Sequence, residues 1–280
     1  MSSDSTRTWF ITGCSTGFGR SLAEAALLAG DTVLATARKA EDLEMLEHLG
    51  AGRCHGFLLD ITDAARTRRV ISEAAEVTGR IDALVNNAGY GLVGAVEECD
   101  DRTVRQNFET NFFGTLNVIQ AALPQLRAQK SGHIITMSAA AAVANYAGFG
   151  VYGAAKAAVE ALHESLRAEV LSHGIKVTLV QPGPFRTDFI RRGLVRAPAM
   201  SEYANTAGKF ASYLGQVDGK QPGDPERAAE LIVKMVREGQ APLRLPLGRY
   251  ITQKIRSTMN NRLRELEIWE QAACATDFSA

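Results

Sequence analysis

Short apolar runs alternate along the chain with longer stretches of helical composition. The runs Thr8–Thr12 (TWFIT), Thr32–Thr36 (TVLAT), Cys54–Leu59, Ile81–Val85 (IDALV), Gly132–Ser138 (GHIITMS) and Ile175–Gln181 (IKVTLVQ) have the length of buried strands. Between them, Arg20–Ala29, Glu41–Leu49, Ala64–Thr78 and Asp101–Leu126 read as helices, the last one long. Another long helix is predicted to begin near Tyr152, where Ala157, Ala158, Ala161, Leu162, Leu166 and Val170 form an amphipathic pattern. Asp224–Glu238 follows as a helix with Pro225 in its first turn. Leu243–Leu247, broken by Pro246, reads as a short edge strand, and Gln253–Gln271 as a helix. Strands alternating with helices predict an α/β fold, a doubly wound Rossmann-type parallel sheet with right-handed crossovers.

Two segments depart from that rhythm. Ala140–Val151 is rich in small residues and reads as a loop; its Tyr146 and Phe149 suit either an apolar cleft or the core. Residues 188–222 lack strong periodicity and carry Phe189, Tyr203, Phe210, Tyr213 and Leu214, which suggests a lid over a substrate site. Residues 241–280 form a C-terminal extension that packs either at home or on a neighbouring subunit.

Composition narrows the class. With 280 residues and 46% apolar content, residues 1–280 are expected to form one large domain. The 31 basic and 31 acidic residues balance, so there is no electrostatic footprint for nucleic acid or an acidic membrane. No run of about 18 apolar residues occurs, and the polar start MSSDSTRT lacks a signal-peptide core. Cys14, Cys54, Cys99 and Cys274 are scattered without metal-ligand spacing, and the five histidines form no ligand motif. A reducing cytoplasm and no metal are the expectations.

The chemistry sits at the strand ends. The first strand runs into TGCSTGFG, Thr12–Gly19, and then into a helix. In that context Gly13, Gly17 and Gly19, with Ser15, Thr16 and Phe18 between them, predict a loop whose backbone approaches a pyrophosphate at a helix N-terminus. The spacing differs from the common GxGxxG. At the tip of the second strand an acidic residue would select NAD, but Arg38 stands there and suits a 2′-phosphate; NADP is the expectation, with NAD the alternative. Asp60, followed by Ile61, is placed to bond an adenine amino group or to cap the next helix. Asn87, Ala88 and Gly89, after Asn86, end the fourth strand where open α/β sheets bind ligands, and the two amides can tie neighbouring strands together. Tyr152 and Lys156, four apart on a helix, share a face, and a cation held there would lower the phenol pKa toward a useful range.

TGxxxGxG, NNAG and YxxxK in this order resemble the short-chain dehydrogenase/reductase family over Thr8–Thr187, including its hydroxysteroid, retinol-type and ketone-reducing members. The resemblance implies hydride transfer between a nicotinamide dinucleotide and an alcohol or ketone. It makes Tyr152 the acid–base group, lets Lys156 also hold the nicotinamide ribose, and gives Asn111 a place in a proton relay. It implies that the turn Pro182, Gly183, Pro184, Phe185 faces the nicotinamide and that Thr187 touches its carboxamide. It also implies a homodimer or homotetramer assembled through the helices carrying Asn111 and Tyr152.

One position breaks the pattern. The family's catalytic serine lies thirteen residues before the tyrosine, which here is Ala139; Ser138 is one residue off and on an extended strand points to the other face. Either a local irregularity re-aims Ser138, or position 139 has lost its hydroxyl. The second is favoured, as in a serine deliberately replaced to trap a ligand. The function expected is a reductase or dehydrogenase for a bulky hydrophobic secondary alcohol or ketone, slowed by the missing hydroxyl. Its rivals are an NAD-dependent alcohol dehydrogenase and a catalytically silent nucleotide sensor or scaffold.

Overall fold

The computed structural model describes residues 6–278. The strands are β1 (Thr8–Ile11), β2 (Thr32–Ala37), β3 (Cys54–Leu58), β4 (Ala83–Asn86), β5 (Gly91–Val93), β6 (Gly132–Met137), β7 (Ile175–Pro182), β8 (Leu194–Arg196) and β9 (Arg244–Leu247). The helices are α1 (Gly17–Leu28), α2 (Glu41–Gly50), α3 (Ala64–Thr78), α4 (Asp101–Phe108), α5 (Thr115–Gln129), α6 (Ala140–Val143), α7 (Gly150–Val170), α8 (Phe189–Arg192), α9 (Lys209–Val217), α10 (Pro225–Arg237) and α11 (Arg249–Cys274).

Seven strands form one parallel sheet in the order β3-β2-β1-β4-β6-β7-β9. The order reverses between β1 and β4, the switch point where such sheets open a crevice. Side chains alternate across the sheet. Trp9, Ile11, Val33, Ala35 and Ile135 pack with α1 and α10 on one face, while Phe10, Leu34 and Ile134 pack with α3, α5 and α7 on the other. Because both faces are covered, the strands read as nearly continuous apolar runs rather than alternating ones.

The structure corrects several expected elements. The long helix 101–126 is interrupted at Glu109–Gly114 by a π-helical turn, so it becomes α4 and α5. The expected loop 140–151 contains α6, and residues 188–222 are built from α8, β8, short turns and α9 rather than irregular chain. Of these, β8 pairs with the unanticipated β5, a strand too short to leave a periodic signal. The C-terminal extension is partly body: β9 is the seventh strand, on the sheet edge as Pro246 suggests.

Candidate active site

A cavity of about 500 Å³ opens above the C-terminal ends of the strands at the switch point. Its walls take in every predicted site residue except Gly19: Gly13, Ser15, Thr16, Gly17 and Phe18 from the first loop; Arg38, Asp60 and Ile61; Asn87, Ala88 and Gly89; Asn111, Ser138, Ala139, Tyr152 and Lys156; and Pro182, Gly183, Phe185 and Thr187.

The first loop is shaped by backbone. Gly13 and Gly17 hold positive φ of 72° and 59°, conformations that side chains resist. Gly19 is the exception to the predicted lining and serves packing instead. A methyl group there would lie 2.2 Å from Gly13 O and 2.4 Å from Asn87 Nδ2, so glycine lets α1 seat directly under the loop. Thr16 precedes α1 without a side-chain cap, which leaves the first-turn amides directed at the cavity for an anionic group. Asn87 fastens the loop to β4: its Nδ2 donates to Thr12 O and Gly13 O, each at 2.9 Å, and its N–H donates to Thr12 Oγ1. Asn86 ties β4 to β6 through Thr136 Oγ1 at 2.9 Å, so the two amides do bridge neighbouring strands.

At the outer rim Arg38 is exposed and has no acidic partner among the described residues. Asp60 does not cap a helix; it accepts bonds from the Thr62 N–H and hydroxyl in a tight turn, and Asp63 caps α3. Thr187 stands against Gly17, with its Cβ 3.5 Å from where a methyl on that glycine would be. Phe18 and Phe185 hold their ring centroids 5.0 Å apart.

Deeper in, three polar groups converge. Tyr152 and Lys156 lie buried one turn apart on α7. The Lys156 ammonium donates to Met137 O at 2.8 Å, and burial lowers its pKa to about 8. Burial pushes the Tyr152 phenol above its ordinary value, opposite to the expected lowering, because desolvation outweighs any help from the lysine, whose ammonium is turned onto a carbonyl. The π-helical turn presents Asn111, whose Nδ2 donates to Tyr90 O at 2.8 Å and Asn107 O at 3.0 Å. Its Oδ1 is buried and unpartnered. A methyl on Gly89 would lie 2.6 Å from that oxygen and 3.5 Å from Lys156 Nζ, so both groups look onto one small space. A π turn adds one residue to the helix and rotates the side chains beyond it; no apolar pattern announces it.

The β6 end is regular. Ser138 N–H donates to Val180 O at 2.8 Å, and Ala139 is fully extended at φ −157°, ψ 159°, so no irregularity re-aims Ser138. Ala139 packs with Tyr152 and Phe149, while Ser138 Oγ is buried without a partner.

Beyond Tyr152 the cavity turns aromatic. Tyr146 stacks on Phe210 at 5.4 Å, Phe149 meets Tyr152 at 5.2 Å and Phe210 at 4.8 Å, and Phe189 lies 6.1 Å from Tyr152. Tyr146 and Phe149 are therefore both core and cavity wall. Sequence reasoning missed Tyr250, Arg192 and Gln221 in the wall. Tyr250 approaches Tyr146 hydroxyl to hydroxyl at 3.5 Å across 104 positions, a pairing no local pattern carries. No metal-ligating cluster occurs among the described residues, and none of their helices is long and apolar enough to cross a membrane.

Comparison with known proteins agrees with this architecture. Residues 7–194 match the family model for short chain dehydrogenase. The chain is 40% identical over 245 residues to oxidoreductase BOA17 of Botryotinia fuckeliana, covering 87% of this chain and 89% of that one. It is 33% identical over 241 residues to the 3-ketodihydrosphingosine reductase of Bacteroides thetaiotaomicron, covering 85% and 86%. A solved short-chain dehydrogenase from Streptomyces avermitilis superposes with a TM-score of 0.92 at 40% identity, covering 98% of this chain and all of that one. By the extent of these matches, the chain belongs to the short chain dehydrogenase family of oxidoreductases.

Proposed function

We propose that the protein is an NADP(H)-dependent reductase of bulky hydrophobic ketones, acting reversibly on the corresponding secondary alcohols. One observation carries this reading. Tyr152 stands where a glycine-built, amide-lined half of the cavity meets an aromatic half, with Lys156 and Asn111 behind it. The first half fits a dinucleotide: unpaired first-turn amides for the pyrophosphate, Asp60 toward an adenine, and unpaired Arg38 for a 2′-phosphate. The buried, unpartnered Asn111 Oδ1 beside the Lys156 ammonium fits a hydrated proton path behind the reacting centre. When bound, the nicotinamide supplies the hydride that reduces the carbonyl carbon.

The residues supply the rest. Tyr152, kept protonated by burial, gives its proton to the carbonyl oxygen as charge develops there. Lys156 is largely charged below pH 8 and stabilises the phenolate left behind, and Asn111 orients the water that returns the proton. Phe149, Phe189 and Phe210 exclude water and accept an apolar substrate. The bulky substrate is also in keeping with the reductase relative, whose name specifies a ketone on a long-chain base. At Ala139 the wall lacks a hydroxyl that would polarise the carbonyl, and turnover is correspondingly slow. That alanine also favours the second reading, a dinucleotide sensor without chemistry. A cytoplasmic location and assembly into homodimers or homotetramers, through the helix that carries Asn111 (α4, its π-helical turn and α5) and through α7 with Tyr152, belong to the proposal.

The cofactor assignment is tested by titrating NADPH and NADH against the chain and against Arg38→Asp. NADPH is expected to bind roughly tenfold tighter, with the preference reversed in the variant; equal affinities in the starting chain contradict it.

A further inference from the structure

Helix α11 is unlike the others. It runs 26 residues, about 39 Å at the usual rise, yet buries only Ile251, and every residue from 261 to 274 is exposed. Its first half rests on the body through Tyr250, through Lys254 over the Tyr146 ring, and through Arg262 Nη2 donating to Val143 O at 3.0 Å. Its second half stands clear. Met259, Leu263 and Leu266 follow at helical spacing on one face, with Trp269 beside them, and they are 41%, 54%, 59% and 68% exposed.

The charges of this helix are fully sorted. Residues 249–264 contain Arg249, Lys254, Arg256, Arg262 and Arg264 and no acid. Residues 265–278 contain Glu265, Glu267, Glu270 and Asp277 and no base. This order runs against the helix's own dipole, which favours acids near the N-terminus and bases near the C-terminus. Within one chain the arrangement is unfavourable. It becomes favourable when the helix meets a copy of itself reversed end to end.

We propose that α11 is a self-association element, pairing antiparallel with α11 of a second copy of this chain about a two-fold axis near Leu263–Leu266. The pairing covers the Met259, Leu263, Leu266 and Trp269 face and lays the basic half of each helix along the acidic half of the other. It satisfies both features at once, as an isologous contact must. An anionic lipid surface would suit the basic half alone and would repel the acidic half. This contact lies on a different part of the molecule from α4, α5 and α7, and it does not depend on the proposed reaction.

The test is sedimentation of the full chain over a concentration series, with three relatives. Glu265→Lys/Glu267→Lys/Glu270→Lys makes the second half basic, and Arg256→Glu/Asn260→Glu/Arg264→Glu moves acid into the first half. These positions are exposed and lie outside the cavity, so helix content and dinucleotide binding report that folding is intact. Each variant alone is expected to weaken the association by at least about tenfold, lowering the assembly mass roughly twofold, and an equimolar mixture is expected to restore it. Leu263→Ser/Leu266→Ser is expected to lose the association, with no rescue on mixing. A mass unaffected by either charge variant overturns the proposal. So does a loss in the two charge variants that mixing them does not reverse, or binding to phosphatidylserine vesicles by a chain that does not self-associate.

Discussion

The two ends of the cavity are built by different means. The dinucleotide end is made by backbone: glycines at positive φ, a helix seated against a loop with no room for one methyl group, and amides left free at a helix start. The aromatic end is made by side chains from four separate segments, Tyr146 and Phe149, Phe189, Phe210 and Tyr250. Backbone recognition tolerates almost no substitution because the recognising atoms cannot be moved independently. Side-chain walls tolerate change and alter fit by degrees. Tyr152 sits at the seam and belongs to neither end, so the three regions are expected to fail differently.

The largest effect is expected at the seam. Tyr152→Phe removes the proton donor and should lower ketone reduction by about 10³–10⁴ while leaving NADPH affinity within roughly twofold. A comparable loss of affinity would move Tyr152 into the dinucleotide end. Next is Gly19→Ala. A methyl 2.2 Å from Gly13 O must push α1 off the loop, and NADPH binding measured by fluorescence should weaken about a hundredfold, or the chain should lose thermal stability. Unchanged binding and melting in this variant would show that the seating is not tight. Phe210→Ala, at the other end, should raise the KM for a bulky ketone by about tenfold and leave NADPH affinity unchanged, which is the clearest contrast between the ends.

Two pH experiments sharpen the seam itself. The Lys156 pKa is lowered to about 8, so the ammonium is present below that pH and lost above it. Reduction is therefore expected to fall as pH rises through about 8, with the Tyr152 phenol still protonated throughout. A rate constant to pH 10 would remove Lys156 from the chemistry. The smallest effect is a null one. His163 donates from Nδ1 to Val159 O at 2.7 Å and accepts from Thr136 at Nε2, and burial lowers its pKa to about 4. Its imidazole signal should stay flat between pH 8 and 5; a midpoint near 6.5 would mean that the support under Thr136 and Asn86 is open to solvent.

The same contrast explains what the sequence makes legible. The sheet is readable because both faces are covered, which turns each strand into an apolar run, and the dinucleotide end is readable because its requirements are local and specific to glycine and asparagine. The π-helical turn at Asn111 is not, since one extra residue in a helix changes no apolar period. Nor is Tyr250, which reaches the cavity only because β9 turns the chain back over the sheet edge. The direction of the Tyr152 shift is also hidden, because spacing gives proximity to Lys156 but not the burial that raises the phenol. Gly19 is legible as important but not as packing.

The most direct measurement is NADPH consumption over a panel of bulky hydrophobic ketones, with this chain and Ala139→Ser side by side. The new hydroxyl would stand in the wall beside Tyr152, where it can donate to the carbonyl oxygen. A gain of roughly a hundredfold with the best ketone is expected, in line with one added donor at the developing charge. If both forms bind NADPH and neither turns over any ketone, the site is not that of a ketone reductase short of one hydroxyl.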